Sequence, residues 1–434
     1  MANGITRRGF LTHYAAVAAG ALAAPTVLPS AVFGADGDVA PSDRITLGII
    51  GMGKMCNGHL GGLIGKRSVQ IVALCDVESI RLERCKERVN KAYSERLGKG
   101  YKGCDTYEDF RDLLARPDID AVFIATPTNW HAVMSIEACK AGKDVYCEKP
   151  LSLSIREGRA VVEAARRYNR VFQTGSQQRS DYAFRFASEL VRNGMIGDVE
   201  SIHINVGGPP GPCYLPAEPT PKTLNWDLWV GPAPMRPYNK ALCPLDDYKS
   251  WPRWRYYRGY GGGGMTDWGA HHFDIAQWAM GMDEAGPVEI LPPECSEQKR
   301  LTYIYPNGAR MYHGGAKGGA GVELFGTKGR IGVNRGGFLE TDPGELKRIK
   351  WGPDDVRLYE SRNHIENWLS CIRTRRQPIC HAEVGCRSIT VCHLGNMAYH
   401  LKRPLKWDPG AERFVDDLAA DRFIGRPMRA PWRV

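Results

Sequence analysis

At 434 residues, with a formal net charge of +10, the chain is long enough for two domains or one large one. Its 43% hydrophobic and 24% charged residues are ordinary for a globular protein, and the positive charge is diffuse. No dense basic run is interleaved with aromatics, which excludes nucleic-acid binding, and the 13 cysteines contain no CxxC pair, which excludes zinc-ribbon and thioredoxin-like readings.

Taken in chain order, the first segment reads as a twin-arginine export signal over residues 1–34. Thr6-Arg7-Arg8-Gly9-Phe10-Leu11 precedes an alanine-rich run, Ala15 to Val32, that is too short and too rich in small residues to span a membrane. Cleavage is expected near Gly34 or Ala35. The expected location is therefore periplasmic or in the cell envelope, with no stable membrane span after cleavage; the alternative is a disordered basic N-terminus. That export route carries folded proteins, so a nucleotide can be inserted first. Cysteines within apolar runs, such as Cys75, Cys139, Cys147 and Cys392, read as core residues.

From residue 43 to 170 strands and helices alternate. Ile45–Ile50, Ile71–Cys75, Ala121–Ala125 and Asp144–Cys147 are apolar runs of the kind buried on both faces of a parallel sheet. Helices are predicted over Ser79–Leu97, Thr106–Leu114, Trp130–Ala141 and Ile155–Tyr168. This βαβ rhythm predicts a doubly covered α/β sheet. Residues 171–412 change character. A helix at Tyr182–Arg192 and an alternating strand at Val199–Val206 lead into a proline- and tryptophan-rich loop from Gly207 to Tyr257. Hairpins are predicted at Pro306-Asn307-Gly308 and Gly326-Thr327-Lys328-Gly329. Two helices follow, through Ile365, Trp368, Leu369 and Ile372, and through Leu394, Met397, Ala398 and Leu401. The expectation is an α/β N-terminal Rossmann domain, an α+β C-terminal domain with an open, mainly antiparallel sheet, and a tail from 413 to 434.

The chemistry lies at the strand ends. Gly51-Met52-Gly53 follows the first strand, where a glycine turn lets backbone N–H groups of Gly51, Met52, Gly53, Lys54 and Met55 approach a pyrophosphate. Asp76 ends the second strand, placed to bond both ribose hydroxyls. A carboxylate there repels a 2′-phosphate, and Val77 supplies no compensating cation, so NAD is expected over NADP. Thr126, Pro127, Asn129 and His131 open a helix near where the nicotinamide half would lie, with Asn129 either a contact or a helix N-cap. Lys149, in Glu148-Lys149-Pro150, is placed to polarise a substrate hydroxyl. Asp267 and His271 stand four apart, on one face of a helix; His271 suits a general base, and Asp267 either orients its imidazole or grips the substrate. A metal reading of His271, His272 and Asp274 is set aside because adjacent histidines diverge on a helix; His272 reads as packed. Trp226, Trp229, Trp251 and Trp254 either stack on a sugar face or pack the loop.

With these residues in place, the chain resembles the glucose–fructose oxidoreductase, inositol dehydrogenase and rhizopine catabolism (Gfo/Idh/MocA) family, in its exported branch. The resemblance rests on GIIGMGKMC from Gly48, Cys75-Asp76, ATPTNWHA from Ala125, CEKP from Cys147, QTGSQQRS from Gln173, GGGGMTDWGAHHFD from Gly261 and the RPMRAPW tail. It implies that Lys149, Asp267 and His271 act together, that Glu148 and Gln177 join the cofactor contacts, and that Gln178, Arg179, Trp254 and His272 join the substrate contacts. It further implies NAD, a carbohydrate or polyol substrate, no metal, and a homodimer or homotetramer. Cys56 in the glycine motif and Thr128-Asn129-Trp130 depart from the family pattern. The expected activity is reversible hydride transfer at a ring hydroxyl. The alternatives are a redox-neutral NAD-dependent glycosidase, a sugar–sugar hydride shuttle and a nonenzymatic carbohydrate-binding protein.

Overall fold

Continuous apolar runs build the first sheet, because helices cover both of its faces and every position must be dry. In the computed structural model, which describes residues 39–97, 101–245 and 251–434, these runs are β1 (Ile45–Ile50), β2 (Val69–Cys75), β4 (Ala121–Ile124) and β5 (Asp144–Cys147). The edges are β3 (Asp105–Tyr107) and β6 (Phe172–Thr174), giving an all-parallel order β3-β2-β1-β4-β5-β6. Leu47, Ile49 and Phe123 are fully buried, each worth about 1.5–3 kcal/mol. The strand order reverses between β1 and β4, so a crevice opens beyond their carboxyl ends. Residues 1–44 form a separate unit, of which the described part carries a short 3₁₀ turn, Pro41–Asp43. The export signal lies outside the described residues.

One predicted helix is shorter than expected. Thr106 and Tyr107 pair in parallel with Leu74 and Cys75, so the helix starts only at Phe110 and runs to Leu114. Asp109 caps it by accepting the Arg111 N–H (2.9 Å). The other helices of this half, Ser79–Leu97, Thr128–Lys140 and Ile155–Arg167, lie within two residues of their predicted bounds.

The first sheet also draws on distant sequence. Its sixth strand lies beyond residue 170, and Trp368, from the helix His364–Thr374, packs against Tyr146 (5.5 Å) and Phe123 (6.4 Å). Phe123 and Tyr146 stack at 4.4 Å, and the returning helix closes that aromatic face.

The second sheet has nine strands: β7 (Val199–Ile204), β8 (Glu289–Leu291), β9 (Thr302–Ile304), β10 (Arg310–His313), β11 (Val322–Gly326), β12 (Gly329–Asn334), β13 (Phe338–Asp342), β14 (Leu405–Asp408) and β15 (Arg413–Phe414). Their order is β13-β12-β11-β7-β10-β9-β8-β14-β15, antiparallel except for the β7–β10 pair. Both predicted hairpins form. The helices Tyr182–Arg192, Gly269–Met280 and Ala382–Leu401 pack together beside this sheet, over Ile202, Met311, Leu324 and Ile331. The long loop builds a core of its own from Leu224, Trp226, Trp229, Tyr238, Leu242, Trp254 and Tyr260.

Candidate active site

The crevice past β1 and β4 continues into a cleft of about 400 Å³. Gly51 turns the chain there with φ +93°, and a Cβ on it would stand 2.8 Å from the Ala125 carbonyl oxygen, so only glycine fits. Gly53 then starts the helix Lys54–Ile64 with no side-chain cap, which leaves its first N–H groups for a ligand. Asp76 Oδ2 accepts the Met52 N–H (2.6 Å) and Oδ1 the Glu78 N–H (2.8 Å), fixing the carboxylate at the end of β2. Burial pushes the Asp76 carboxyl above its ordinary value, opposed by the Arg81 charge and those two N–H groups. A close-approach turn, an uncapped helix start and a positioned carboxylate fit a dinucleotide. Gly51, Gly53, Lys54, Met55, Asp76, Thr126 and Pro127 all line this part of the cleft. The Met52 side chain does not; it is fully buried.

At the far end Lys149 Nζ donates to Asp267 Oδ1 (2.8 Å) and to the Asp267 carbonyl oxygen (2.9 Å). Asp267 closes the short helix Gly263–Asp267, and His271 lies in the next one, Gly269–Met280, with Trp268 at the break. The helix start is wedged against the strand-end loop at Gly207, where a Cβ on Gly264 would overlap the Gly207 backbone. Lys149, Asp267 and His271 all face the cleft, as the four-residue spacing predicts. His271 is buried, and its Nδ1 has no hydrogen-bond partner. Burial holds its pKa well below the ordinary value, reinforced by the positive charges of Lys149 and Arg335. The imidazole is therefore neutral at neutral pH.

Glu148 supports Lys149 from behind. Its Oε1 meets His59 Nε2 (3.0 Å), Gln177 Nε2 (2.8 Å) and Tyr146 OH (3.4 Å), while Oε2 accepts the Lys149 N–H (3.2 Å). Gln177 also donates to Tyr146 OH (3.1 Å). Both residues border the cleft, with their polar atoms engaged in this network.

Four expected contacts are corrected. Asn129 is not an N-cap and does not face the cleft: Pro127 is the N-cap residue, and Asn129, the second residue of the helix, donates to the Val230 carbonyl (2.9 Å). Arg179 is buried between Asp274 (2.8 and 2.9 Å) and Asp283 (2.6 and 3.0 Å), so its donors are spent on folding. Gln178 lies behind the cleft wall; with its amide oriented so that both ends are satisfied, it donates to the His271 carbonyl (3.0 Å) and accepts from Arg335 Nε (3.1 Å). His272 is packed, with Nδ1 facing the Asn205 carbonyl (3.1 Å) and its pKa lowered by burial to about 4. His131 borders the cleft, but both ring nitrogens face carbonyls, of Pro150 (2.6 Å) and Thr126 (2.9 Å). Of the four tryptophans, Trp229, Trp251 and Trp254 line the cleft, whereas Trp226 stacks beneath Trp229 at 4.6 Å.

Arg81, Arg255, Trp268 and Arg335 also line the cleft, and none was singled out in sequence. Arg255 alternates with tryptophan in Trp251-Pro-Arg-Trp254-Arg255, a usable cue. Arg335 sits in the turn between β12 and β13 and carried none.

The comparisons agree with this geometry. Residues 45–176 match the model for the oxidoreductase family's NAD-binding Rossmann fold, and residues 209–434 match its C-terminal alpha/beta domain. The chain belongs to the Gfo/Idh/MocA oxidoreductase family. It is 26% identical over 302 residues to a myo-inositol 2-dehydrogenase of Thermotoga maritima, covering 66% of this chain and 74% of that one. A glycosyl hydrolase family 109 protein of Shewanella baltica is 30% identical over 208 residues, 45% of each chain. The chain thus spans less than half the length of several curated relatives it matches. The aldose–aldose oxidoreductase of Caulobacter crescentus shares the fold, with a TM-score of 0.56 at 19% identity over 84% of this chain and 99% of that one.

In this family member the first domain is a NAD-binding Rossmann fold. Arg81 stands near Asp76, with its donors directed at the Pro244 carbonyl and at Cys243 Sγ (3.7 Å). Asp76→Ala would remove the carboxylate that repels a 2′-phosphate, with the Arg81 charge still close by. The expected outcome is a fall of about tenfold in the NAD-over-NADP affinity ratio, checked by titrating both nucleotides. An unchanged ratio would contradict the ribose assignment.

Proposed function

We propose that this protein is an NAD-dependent oxidoreductase acting on a ring hydroxyl of a sugar or polyol. The observation that carries the reading is the Lys149–Asp267 pair sharing one cleft with the neutral imidazole of His271. NAD, when bound, supplies a hydride acceptor. Gly51, Gly53, Lys54 and Asp76 would hold it. Lys149 donates to the substrate oxygen and stabilises negative charge developing there. Asp267 fixes the ammonium. His271, kept neutral by burial, offers a lone pair for the hydroxyl proton.

The test is to saturate the protein with NAD and follow nicotinamide absorbance across a panel of aldoses, inositols and sugar acids. Substrate-dependent reduction is the expected result. A panel without reduction, by a folded protein that binds NAD, would sink the dehydrogenase reading. Similarity to a glycosyl hydrolase family 109 protein favours a second reading, a redox-neutral glycosidase, and similarity in fold to an aldose–aldose oxidoreductase accompanies a hydride shuttle. Both predict NAD retained through purification in near-stoichiometric amount and released on denaturation; a dehydrogenase with exchanging cofactor predicts an empty protein.

Export by the twin-arginine route belongs to the same reading and rests on Arg7-Arg8 and the alanine-rich run. Assembly as a homodimer or homotetramer also belongs to this reading and rests on the family resemblance and its open nine-stranded sheet. Among the described residues no helix is long and apolar enough to cross a membrane.

A further inference from the structure

The substrate end of the cleft holds more cations than the Lys149–Asp267 pair requires. Arg255 is sandwiched between Trp251 (4.5 Å to the ring centre) and Trp254 (4.4 Å), its side chain only 13% exposed. Its Nη1 donates to the Pro252 carbonyl (3.2 Å), and its Nε stands 3.7 Å from Asp267 Oδ1, an oxygen that already accepts from Lys149. A guanidinium has five N–H donors, so most of those on Arg255 remain for another acceptor. Arg335 comes from a different element, the turn after β12, and lines the same cleft. Its guanidinium lies 4.7 Å over the Trp268 ring, and Nε is held by Gln178, which also grips the His271 carbonyl. Among the described residues Arg335 forms no ion pair with a carboxylate.

The carboxylates present are already engaged. Glu148 is wrapped by His59, Gln177 and Tyr146, and Asp267 is bonded to Lys149. Among the groups lining this end of the cleft, three cations, Lys149, Arg255 and Arg335, therefore face two carboxylates, leaving one positive charge; Asp181 also acts on Arg335 but lies outside the cleft and accepts the Ala183 N–H. The cofactor's pyrophosphate does not need it, because Lys54 and the uncapped helix start stand at the glycine turn, whereas Arg255 and Arg335 are tied to Asp267 and His271. Two flat guanidinium groups stacked on aromatic faces, with donors free, suit a planar bidentate anion better than a hydroxyl.

Resting on the reading that the cleft takes a sugar, we propose that Arg255 and Arg335 bind a carboxylate on it, making the substrate a sugar acid of the uronate type. Trp254 and Trp268 then hold the two guanidinium planes, while Lys149 and His271 address a ring hydroxyl of the same molecule.

The experiment is equilibrium calorimetry on the NAD-saturated full chain, titrated with D-glucuronate, D-galacturonate, the neutral parents D-glucose and D-galactose, and D-glucose 6-phosphate. At least one uronate should bind about 10- to 100-fold more tightly than its parent, the range of a charge-assisted bidentate contact. Arg335→Gln, at an exposed position, should cut that preference to within about threefold. Arg255→Lys keeps the charge but loses the fork and should weaken uronate binding as well. Equal affinity for acid and neutral sugars, or no uronate binding, overturns the proposal. So does a preference for the phosphate, or an Arg335→Gln variant that loses NAD affinity while its uronate preference stands. Because the readout is binding, uronate affinity without hydride transfer would refute the dehydrogenase reading and leave the anion site intact.

Discussion

Lys149→Met is expected to lower turnover by about 10³-fold while NAD still binds. The methionine keeps the length and apolar stem of lysine but removes the ammonium that donates to Asp267 Oδ1 and faces the cleft. Acid–base and electrostatic contributions of a single positioned group span about 10²- to 10⁴-fold, and Lys149 is the group best placed to stabilise charge on the substrate oxygen. The fold should survive, because Asp267 is not orphaned: Arg255 Nε lies 3.7 Å from the same oxygen. Both side chains of the Lys149–Asp267 pair are partly solvated, which keeps the stability cost below the roughly 3–5 kcal/mol of breaking a fully buried pair. Steady-state kinetics with a competent sugar, beside a denaturant titration, separates the two effects. A variant with undiminished turnover would remove Lys149 from the mechanism, and one that unfolds at low denaturant would reassign it to structure.

Acidification should destabilise the fold steeply between pH 6.5 and pH 5. His272, His364 and His393 are buried, and burial is the main cause that brings each to about 4 from an ordinary 6.5. The unfolded chain takes up these protons near pH 6.5, and the native state only near pH 4. Between those values the unfolded state binds more protons, so stability is present above pH 6.5 and is lost as pH falls. Three such groups amount to a loss on the order of 5 kcal/mol by pH 5. Glu157, Asp274 and Asp76 act in the opposite sense, since burial raises their carboxyls and protonation relieves that cost, so they offset part of the histidine loss. Urea midpoints at pH 7.5, 6.5 and 5 check the result. A midpoint that is flat or rises towards pH 5 would show that these imidazoles are not held neutral.

The cleft chemistry divides into parts that a linear reading reaches and parts that it cannot. Gly51, Asp76 and Lys149 were legible because each sits at a strand end, and local pattern places strand ends. Asp267 and His271 were legible because four residues of helix put them on one face, a relation that survived the break at Trp268. Arg179 and His272 stand within one or two residues of cleft residues, yet the substrate contacts the resemblance implies for them do not form, and His272 is packed as its residue pattern suggested. Their side chains turn inward to Asp274, Asp283 and the Asn205 carbonyl, partners that adjacency in sequence does not reveal. Asn129 failed for the same reason, since its partner, Val230, lies 101 residues away. Thr106 and Tyr107 became a strand because β2 offered an open edge.

By itself, the sequence determined the alternation of strands and helices, the glycine turn and the carboxylate at the next strand end, the two hairpins and the placing of Lys149, Asp267 and His271 along one cleft. All of these follow from backbone periodicity and turn chemistry acting over a few residues. Only the tertiary structure decided which polar side chains face the cleft and which are spent inside the fold. It alone closed the Phe123–Tyr146 face with Trp368 and brought Arg255 and Arg335 into one site. The physical reason is that burying a charge or an amide requires a partner, and these partners are chosen by packing between segments that lie far apart along the chain.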